Sequence, residues 1–465
     1  MNRFGRGLCL VCSVVILFAV GCSRESKKAK HRERGDKYYS EQKYKEAVIE
    51  YKNVLQIDPY SLHANKQLAL AYWALGDPGQ AFPFLSKVKE LDPADSETRV
   101  KLASILALGG KGKEAKEEVA AVLEKNPKHI EAIQLSASLA GTPEEISEAL
   151  RKLEEVKADF GNVAKYYLTV AALHLKAKNS AKAEEAVRQA LAGNPNSVEA
   201  HLALGDLMVM KKDLPAAEKE YEAAADLAPL DSPAQIKLTD FYLLTNRPGD
   251  ARKRLAELNE KAPNFMPAFY RLAEMAMAEN KLDEALKTLE PVLKKSASDP
   301  EALLLRGRIH LSRKQTAEAT QDFQEVVKAR PSSPIGYYQL ALAHLQADDV
   351  EQAKNKLRDA LRMNPDYSEA VIKMSELEIQ GGAHQRAIEA LEKLLVKQPS
   401  LEQGHVLLGT ARLAKGDARK AAEAFRKAQE LAPKDPRPPY LLGLALRKEG
   451  KDSEAEKQFN QALSL

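Results

Sequence analysis

Small, large apolar and proline residues recur along this chain at a constant spacing of 34 residues. One register of the pattern holds alanine at every occurrence. These thirteen positions are Ala47, Ala81, Ala115, Ala149, Ala183, Ala217, Ala251, Ala285, Ala319, Ala353, Ala387, Ala421 and Ala455. A second register, twelve residues earlier, holds small residues such as Gly35, Ala69 and Gly205. The pattern indicates one structural unit that is repeated thirteen times.

Each 34-residue repeat is predicted to contain two antiparallel helices. Two helices approach closely only where side chains are small, so the two small registers mark the crossing point of each pair. Four residues after the alanine, a larger apolar side chain such as Tyr51 or Phe323 lies on the same helical stripe, where it is expected to face the next repeat. A proline near the end of most units, for example Pro93, ends the second helix. The pattern therefore predicts an all-α chain.

The spacing and the residues of the second repeat resemble the tetratricopeptide repeat. This second repeat contains Leu68-Ala69, Tyr72, Gly76-Asp77, Ala81, Leu85 and Asp92-Pro93. The resemblance covers residues 28–465 and implies a right-handed superhelical solenoid of about thirteen 34-residue helix-turn-helix repeats, starting at 28, 62, 96 and so on to 436. Residues 141–143 are a candidate hinge, because Gly141 ends a first helix early and Thr142-Pro143-Glu144-Glu145 restarts a helix with capping-box residues.

The first 21 residues are predicted to be a signal peptide. Arg3 and Arg6 precede an apolar run over 8–20, which is followed by Gly21 and Cys22. This arrangement resembles a bacterial lipoprotein signal, which implies a lipid (palmitate among its acyl chains) on Cys22 after cleavage. The alternative is an ordinary signal peptide or an uncleaved anchor with a chance cysteine. In a Gram-negative host, Ser23 in place of aspartate implies the outer membrane, with the protein facing the periplasm.

Residues 22–27 are predicted to form a lipidated cysteine and a basic tether. The basic residues continue past this segment as Lys28, Lys30, Arg32 and Arg34. They either contact anionic lipid head groups or are simply solvated.

Composition narrows the remaining chemistry. The three cysteines, Cys9, Cys12 and Cys22, all lie near the N-terminus, so the body has no disulfide, cysteine-based metal site or cysteine nucleophile. A net charge of +4 over 465 residues gives no broad footprint for nucleic acid. No phosphate-binding glycine loop, nucleophile elbow or zinc-protease histidine pair occurs. We therefore expect no enzyme activity, cofactor, metal or small-molecule substrate.

The candidate ligand groove follows from the tetratricopeptide resemblance, which implies that positions 2, 5, 9 and 12 of each first helix line the inner face. From the fifth repeat to the twelfth, positions 5 and 12 are apolar. The predicted groove residues are Leu202, Val209, Ile236, Leu243, Tyr270, Met277, Leu304, Leu311, Tyr338 and Leu345. An acidic flank is predicted at position 9, from Asp206, Asp240 and Glu274. Such a groove would take an extended peptide or an amphipathic helix. The alternative is that these side chains pack between neighbouring first helices.

The carboxylate clamp of chaperone-binding members is not predicted, because no repeat has asparagine at position 9.

Lipidated tetratricopeptide proteins resemble components of export machines, and residues 47–56 are similar to the opening repeats of exosortase-associated and exopolysaccharide-associated lipoproteins. The resemblance implies a membrane-anchored scaffold that binds a protein or peptide partner and assists export of polysaccharide or surface proteins. Two alternatives remain. One is a periplasmic holdase for exported polypeptides, and the other is a repeat subunit that partners a separate glycosyltransferase.

Overall fold

A computed structural model describes residues 24–160 and 163–465, and all regular secondary structure in these ranges is helical. The helices alternate along the chain as first and second members of pairs. The first helices are α1 (24–40), α3 (Leu62–Ala74), α5 (Ser96–Leu108), α7 (Ile130–Leu139), α9 (Ala164–Lys176), α11 (Val198–Met210), α13 (Pro233–Leu244), α15 (Met266–Ala278), α17 (Pro300–Ser312), α19 (Pro334–Gln346), α21 (Ser368–Gln380), α23 (Glu402–Lys415) and α25 (Arg437–Lys448).

The second helices complete the pairs. They are α2 (Tyr44–Ile57), α4 (Pro78–Leu91), α6 (Gly112–Lys125), α8 (Pro143–Phe160), α10 (Ser180–Gly193), α12 (Leu214–Leu227), α14 (Pro248–Lys261), α16 (Leu282–Lys295), α18 (Thr316–Ala329), α20 (Val350–Met363), α22 (His384–Lys397), α24 (Ala418–Leu431) and α26 (Asp452–Ser464). The prediction of an all-α chain of 34-residue helix-turn-helix repeats is confirmed. Residues 24–27, assigned to a tether by the sequence, are instead helical and belong to α1.

The chain divides into two compact units, of which the first ends at Leu238 and the second is Thr239–Leu465. Within each unit a second helix packs against the first helix of its own repeat and against that of the next. In the first unit α10 contacts α9 and α11, and in the second unit α18 contacts α17 and α19. Successive first helices also touch, as α7 and α9 do in the first unit and α15 and α17 in the second. Each unit is therefore held together by contacts between neighbouring repeats.

The turn inside a pair needs one residue in the left-handed conformation, which recurs at the 34-residue spacing. Glycine supplies it in several repeats, for example Gly382 with φ of 79°. Elsewhere a residue with a side chain takes the same conformation, as Lys314 does with φ of 59°. The turn geometry is therefore kept even where the side chain disfavours it.

The fourth repeat departs from this turn. Helix α7 ends at Leu139, and the predicted capping box is present, because Glu145 Oε2 accepts hydrogen bonds from the N–H groups of Gly141 at 2.8 Å and Thr142 at 3.3 Å. In return, Thr142 Oγ1 accepts from the Glu145 N–H at 3.3 Å. The Gly141 N–H, followed by the Lys116 ammonium and the Thr142 N–H, lowers the pKa of Glu145 to about 2. The hinge at 141–143 stays a prediction.

The two small registers meet at the centre of each repeat. All thirteen alanines of the first register are buried. The large side chain four residues later reaches the next repeat, as predicted, since Phe323 clusters with Leu340. It also covers the small residue on the first helix of its own repeat. A Cβ atom placed on Gly307 would lie 2.5 Å from Cε1 of Phe323, and one on Gly205 would lie 2.7 Å from Cε1 of Tyr221.

The sizes at these two positions are correlated. Five repeats pair glycine with an aromatic ring, namely Gly35 with Tyr51, Gly205 with Tyr221, Gly307 with Phe323, Gly409 with Phe425 and Gly443 with Phe459. The other eight repeats pair alanine, threonine or serine with leucine or valine, as Ala273 with Leu289. The volume added by the ring is thus compensated by the removal of a methyl group opposite it.

Candidate binding surface on the first helices

In the first unit, the predicted groove residues are half-buried. Leu202 packs against a small cluster formed by Ala224, Ala228 and Ala234, and Val209 and Ile236 are also of intermediate exposure. These three side chains are therefore partly covered by surrounding residues instead of standing free in a groove.

The second unit holds the other predicted groove residues, and their exposure differs. Leu304 is 4% exposed, so a ligand cannot reach it, while Leu243 is 37% exposed. The remaining five are partly buried, and each packs against a cluster of buried residues in the second unit. They are Tyr270 and Met277 in one cluster, Leu311 in a second, and Tyr338 and Leu345 in a third. The predicted groove residues thus mainly pack between first helices.

Tyr270 illustrates how such a residue joins two repeats. Its hydroxyl donates to Asp299 Oδ1 at 2.8 Å, and the same oxygen caps α17 by accepting from the Ala302 N–H at 2.9 Å. Burial and the hydrogen bond to Asp299 raise the pKa of Tyr270. Tyr338 packs edge-on against Tyr367, with ring centroids 5.6 Å apart. Both tyrosines therefore contact the residue that immediately precedes the next first helix.

The predicted acidic flank consists of carboxylates that are already paired. In the first unit, Asp206 Oδ1 accepts from the Tyr221 hydroxyl at 2.6 Å and lies 2.7 Å from Lys237 Nζ. Sequence reasoning missed Lys237 as the partner, although it lies at position 6 of the following repeat.

The same pairing occurs in the second unit. Asp240 lies 3.1 Å from Nη2 of Arg271, and Glu274 lies 2.9 Å from Nη1 of the same guanidinium. Arg271, like Lys237, occupies position 6, so a search for opposite charges about one repeat apart would have found it. These carboxylates are neutralised within the array, which leaves little free negative charge for a cationic ligand.

Other exposed apolar residues lie where the sequence did not predict them. In the first unit, Leu175 is 36% exposed and Met210 is 63% exposed, and both lie in the last turn of a first helix. In the second unit, Leu244 is 65% exposed beside Leu243 at the end of α13. Part of the accessible apolar surface therefore lies at the C-terminal ends of first helices.

The last repeat carries a further exposed apolar face. Tyr440 is 51% exposed and Leu463 is 85% exposed, and they line an open cleft with Phe459 and Ala462. Phe459 and Ala462 are of intermediate exposure.

Comparison with known proteins agrees with the helix pairs. One profile described as tetratricopeptide repeat matches residues 169–232, 270–334, 338–402 and 406–465, which together exceed half of the chain. The chain belongs to the tetratricopeptide-repeat family. A second profile of the same description matches residues 72–139 and 209–276. No curated protein matches the sequence of this tetratricopeptide-repeat chain.

Solved structures that resemble this tetratricopeptide-repeat protein include yeast Tom70, with 17% sequence identity and a TM-score of 0.49 over 94% of this chain and 97% of that one. The Cut9–Hcn1 hetero-tetramer of APC/C gives 14% identity and a TM-score of 0.43 over 90% and 96%. MamA (41-end) from Desulfovibrio magneticus gives 20% identity and a TM-score of 0.34 over 36% of this chain and 94% of its own.

Tetratricopeptide repeats mediate protein–protein interactions, and this chain has their scaffold fold. In residues 24–160 and 163–465 no cluster of three or more His, Cys, Asp or Glu side chains is arranged to hold a metal ion. Within the same ranges, none of the helices combines the length and hydrophobicity that a membrane span requires. Cys22 and the predicted signal peptide lie outside the described residues.

Proposed function

We propose that this protein is a lipid-anchored scaffold of the bacterial envelope, which binds a protein or peptide partner and assists export or assembly of polysaccharide or surface proteins. The proposal rests mainly on the order of the segments along the sequence. A lipoprotein-like signal ending at Cys22 is followed directly by repeats of a protein-interaction family. Lipidation would hold the repeats at the membrane surface, where exported molecules pass.

The partner surface in this proposal is the exposed apolar ends of the first helices. An amphipathic helix or extended peptide could cover Leu175 and Met210 in the first unit, and another contact could cover Leu243 and Leu244 in the second. Exposed apolar side chains of this size favour contact with a partner over contact with water.

The experiment is photo-crosslinking in cells from a photoreactive residue at position Leu243, followed by mass spectrometry of the adducts. The matched control places the same residue at Lys287, which is exposed on the second helix α16 of the same unit. We expect one dominant adduct, from a component of envelope export or polysaccharide synthesis, at Leu243 and not at Lys287. Many unrelated exported polypeptides would instead support the holdase, and a glycosyltransferase would support the enzyme-partner alternative. Equal adducts from both positions would refute the binding surface.

The anchor is tested separately. Metabolic labelling with a palmitate analogue should label the wild-type protein, and the substitution Cys22→Ala should abolish the label and release the protein from membranes. An unlabelled wild-type protein would refute lipidation.

A further inference from the structure

Helix α1 carries a line of positive charges along its solvent-facing side. The line consists of Lys27, Lys30, Arg34 and Lys37, which we call the basic stripe. All four residues are exposed, and the side chains of Arg34 and Lys37 are 63% and 71% accessible. At about 100° and 1.5 Å per residue, the stripe spans an arc of about 80° and a length of about 15 Å.

The stripe points away from the repeat core. Gly35, the residue of α1 that packs under the Tyr51 ring, lies about a third of a turn from its centre. The stripe contains no apolar residue, so it cannot insert into hydrocarbon or fill an apolar groove. Its chemistry is that of a flat cationic surface.

The charges of the stripe are also weakly paired. Within the described residues, Lys27 and Lys30 have no ion pair, and Arg34 and Lys37 have partners only at 3.9 and 4.0 Å. Lys28, which lies off the stripe, differs because it contacts Glu25 at 2.9 Å and Asp58 at 3.3 Å. The stripe therefore keeps most of its charge for an external partner.

The charge of the chain is concentrated in this helix. Of the net charge of +4, Arg3 and Arg6 contribute +2. Residues 24–40 contribute +4, from seven Lys and Arg against three Asp and Glu. The remaining residues, 41–465, consequently carry −2. One end of the chain is thus cationic while the rest is slightly anionic.

We propose that the basic stripe docks α1 on an anionic membrane surface and sets the orientation of the first repeat relative to that surface. The inference rests on the proposed anchor, since lipid on Cys22 would hold α1, which is helical from residue 24, within a Debye length of the head groups. A straight row of cations without apolar or aromatic side chains suits a flat, mobile layer of phosphates better than a shaped protein pocket or nucleic-acid bases.

The test uses the chain from residue 23 onward, without signal peptide or lipid. The described core clusters extend from Tyr38 to Phe459, so this chain contains them all and is expected to fold. Sedimentation with phosphatidylcholine vesicles containing phosphatidylglycerol is compared with sedimentation with pure phosphatidylcholine vesicles. We expect binding to the anionic vesicles alone, with release at high salt.

Two matched variants decide the role of the stripe. The quadruple variant K27Q/K30Q/R34Q/K37Q keeps good helix formers and should lower the partition coefficient about fivefold per charge, or by about two to three orders of magnitude in total. The control K113Q/K125Q/K178Q/K212Q removes four exposed lysines from other repeats of the first unit and should bind like the wild type.

Equal binding to both vesicle types, equal loss in both variants, or no loss in the stripe variant would each overturn the inference. Failure here leaves the anchor intact, because labelling at Cys22 reports the anchor independently.

Discussion

The pairing of Gly307 with Phe323 makes a sharp prediction, because two known effects oppose each other there. Replacement of a glycine inside a helix by alanine normally stabilises the helix by about 0.8–1 kcal/mol. In Gly307→Ala the new Cβ would lie 2.5 Å from Cε1 and 2.9 Å from Cδ1 of Phe323. Ordinary carbon–carbon contacts are about 3.5–4 Å, so the ring would have to move by about 1 Å.

The ring has little space for that movement, because Phe323 is fully buried and clusters with Leu303 and Leu340. Overpacking of a well-packed core costs about 1–3 kcal/mol, which exceeds the gain in helix propensity. The difference between the two effects predicts that Gly307→Ala lowers the free energy of unfolding by about 1 kcal/mol, and by no more than about 2 kcal/mol. The matched control is Gly249→Ala in α14, where the added Cβ meets no atom within 4 Å, so this variant should be neutral or more stable.

Phe323→Leu alone should also destabilise the protein, by about 1–2 kcal/mol, because it leaves a cavity over Gly307. The double variant G307A/F323L reproduces the pair Ala273 and Leu289 of the eighth repeat, so it should recover part of both losses. We expect a favourable coupling of about 1–2 kcal/mol in the double-mutant cycle.

The measurement is urea unfolding, combined with hydrogen exchange of the amides in α17 and α18, because repeat arrays can unfold in parts. If Gly307→Ala is as stable as Gly249→Ala, or if the two single substitutions are additive, the proposed compensation of volumes is wrong.

Three further predictions follow from turns, caps and polar contacts. Lys314→Gly should raise the free energy of unfolding by about 0.5–1 kcal/mol, because glycine adopts the left-handed φ readily, and Gly382→Ala should lower it by about 1 kcal/mol in the same urea assay. The pKa of Glu145 is about 2 in the folded chain and 4.5 ordinarily. Its stabilising contribution is therefore present above pH 4.5 and is lost as the pH falls toward 2. We expect Glu145→Gln to flatten the acid side of a plot of thermal midpoint against pH. Tyr270→Phe should destabilise the second unit by about 1–2 kcal/mol through loss of its hydrogen bond to Asp299, and an unchanged urea midpoint would contradict this.

The fold could be predicted from the sequence because its information is local and repeated. Each repeat buries a small residue such as Ala47 at a helix crossing, and thirteen copies of one pattern leave no alternative period. Most predicted helix starts, including residues 62 and 198, agree with the structure. The start of α1 could not be predicted, because residues 24–27 carry no apolar pattern and only the backbone shows that the helix includes them.

The candidate surface was harder to predict because exposure depends on the neighbouring repeat. Leu243 and Leu311 both occupy position 12 of a repeat, yet Leu243 is exposed while Leu311 is partly buried in the cluster that contains Leu340. Charge pairing is equally non-local, since the partner of Asp206 is Lys237, about one repeat further along. A pattern read within single repeats identifies the positions that face inward, but it cannot show which of them are already occupied.

These contacts also restrict the kind of partner that the first helices can accept. Several polar groups suited to grip a charged ligand are paired within the array, as Tyr270 is with Asp299 and Lys66 Nζ is with Asp95 Oδ2 at 2.5 Å. A ligand that used them would first have to break contacts between repeats, at a cost of about 1–3 kcal/mol for each charged hydrogen bond. Exposed apolar residues such as Leu243 require no such exchange, since their burial releases water without loss of a contact in the scaffold. An apolar segment of a partner protein is therefore favoured over a charged terminus as the ligand of this surface.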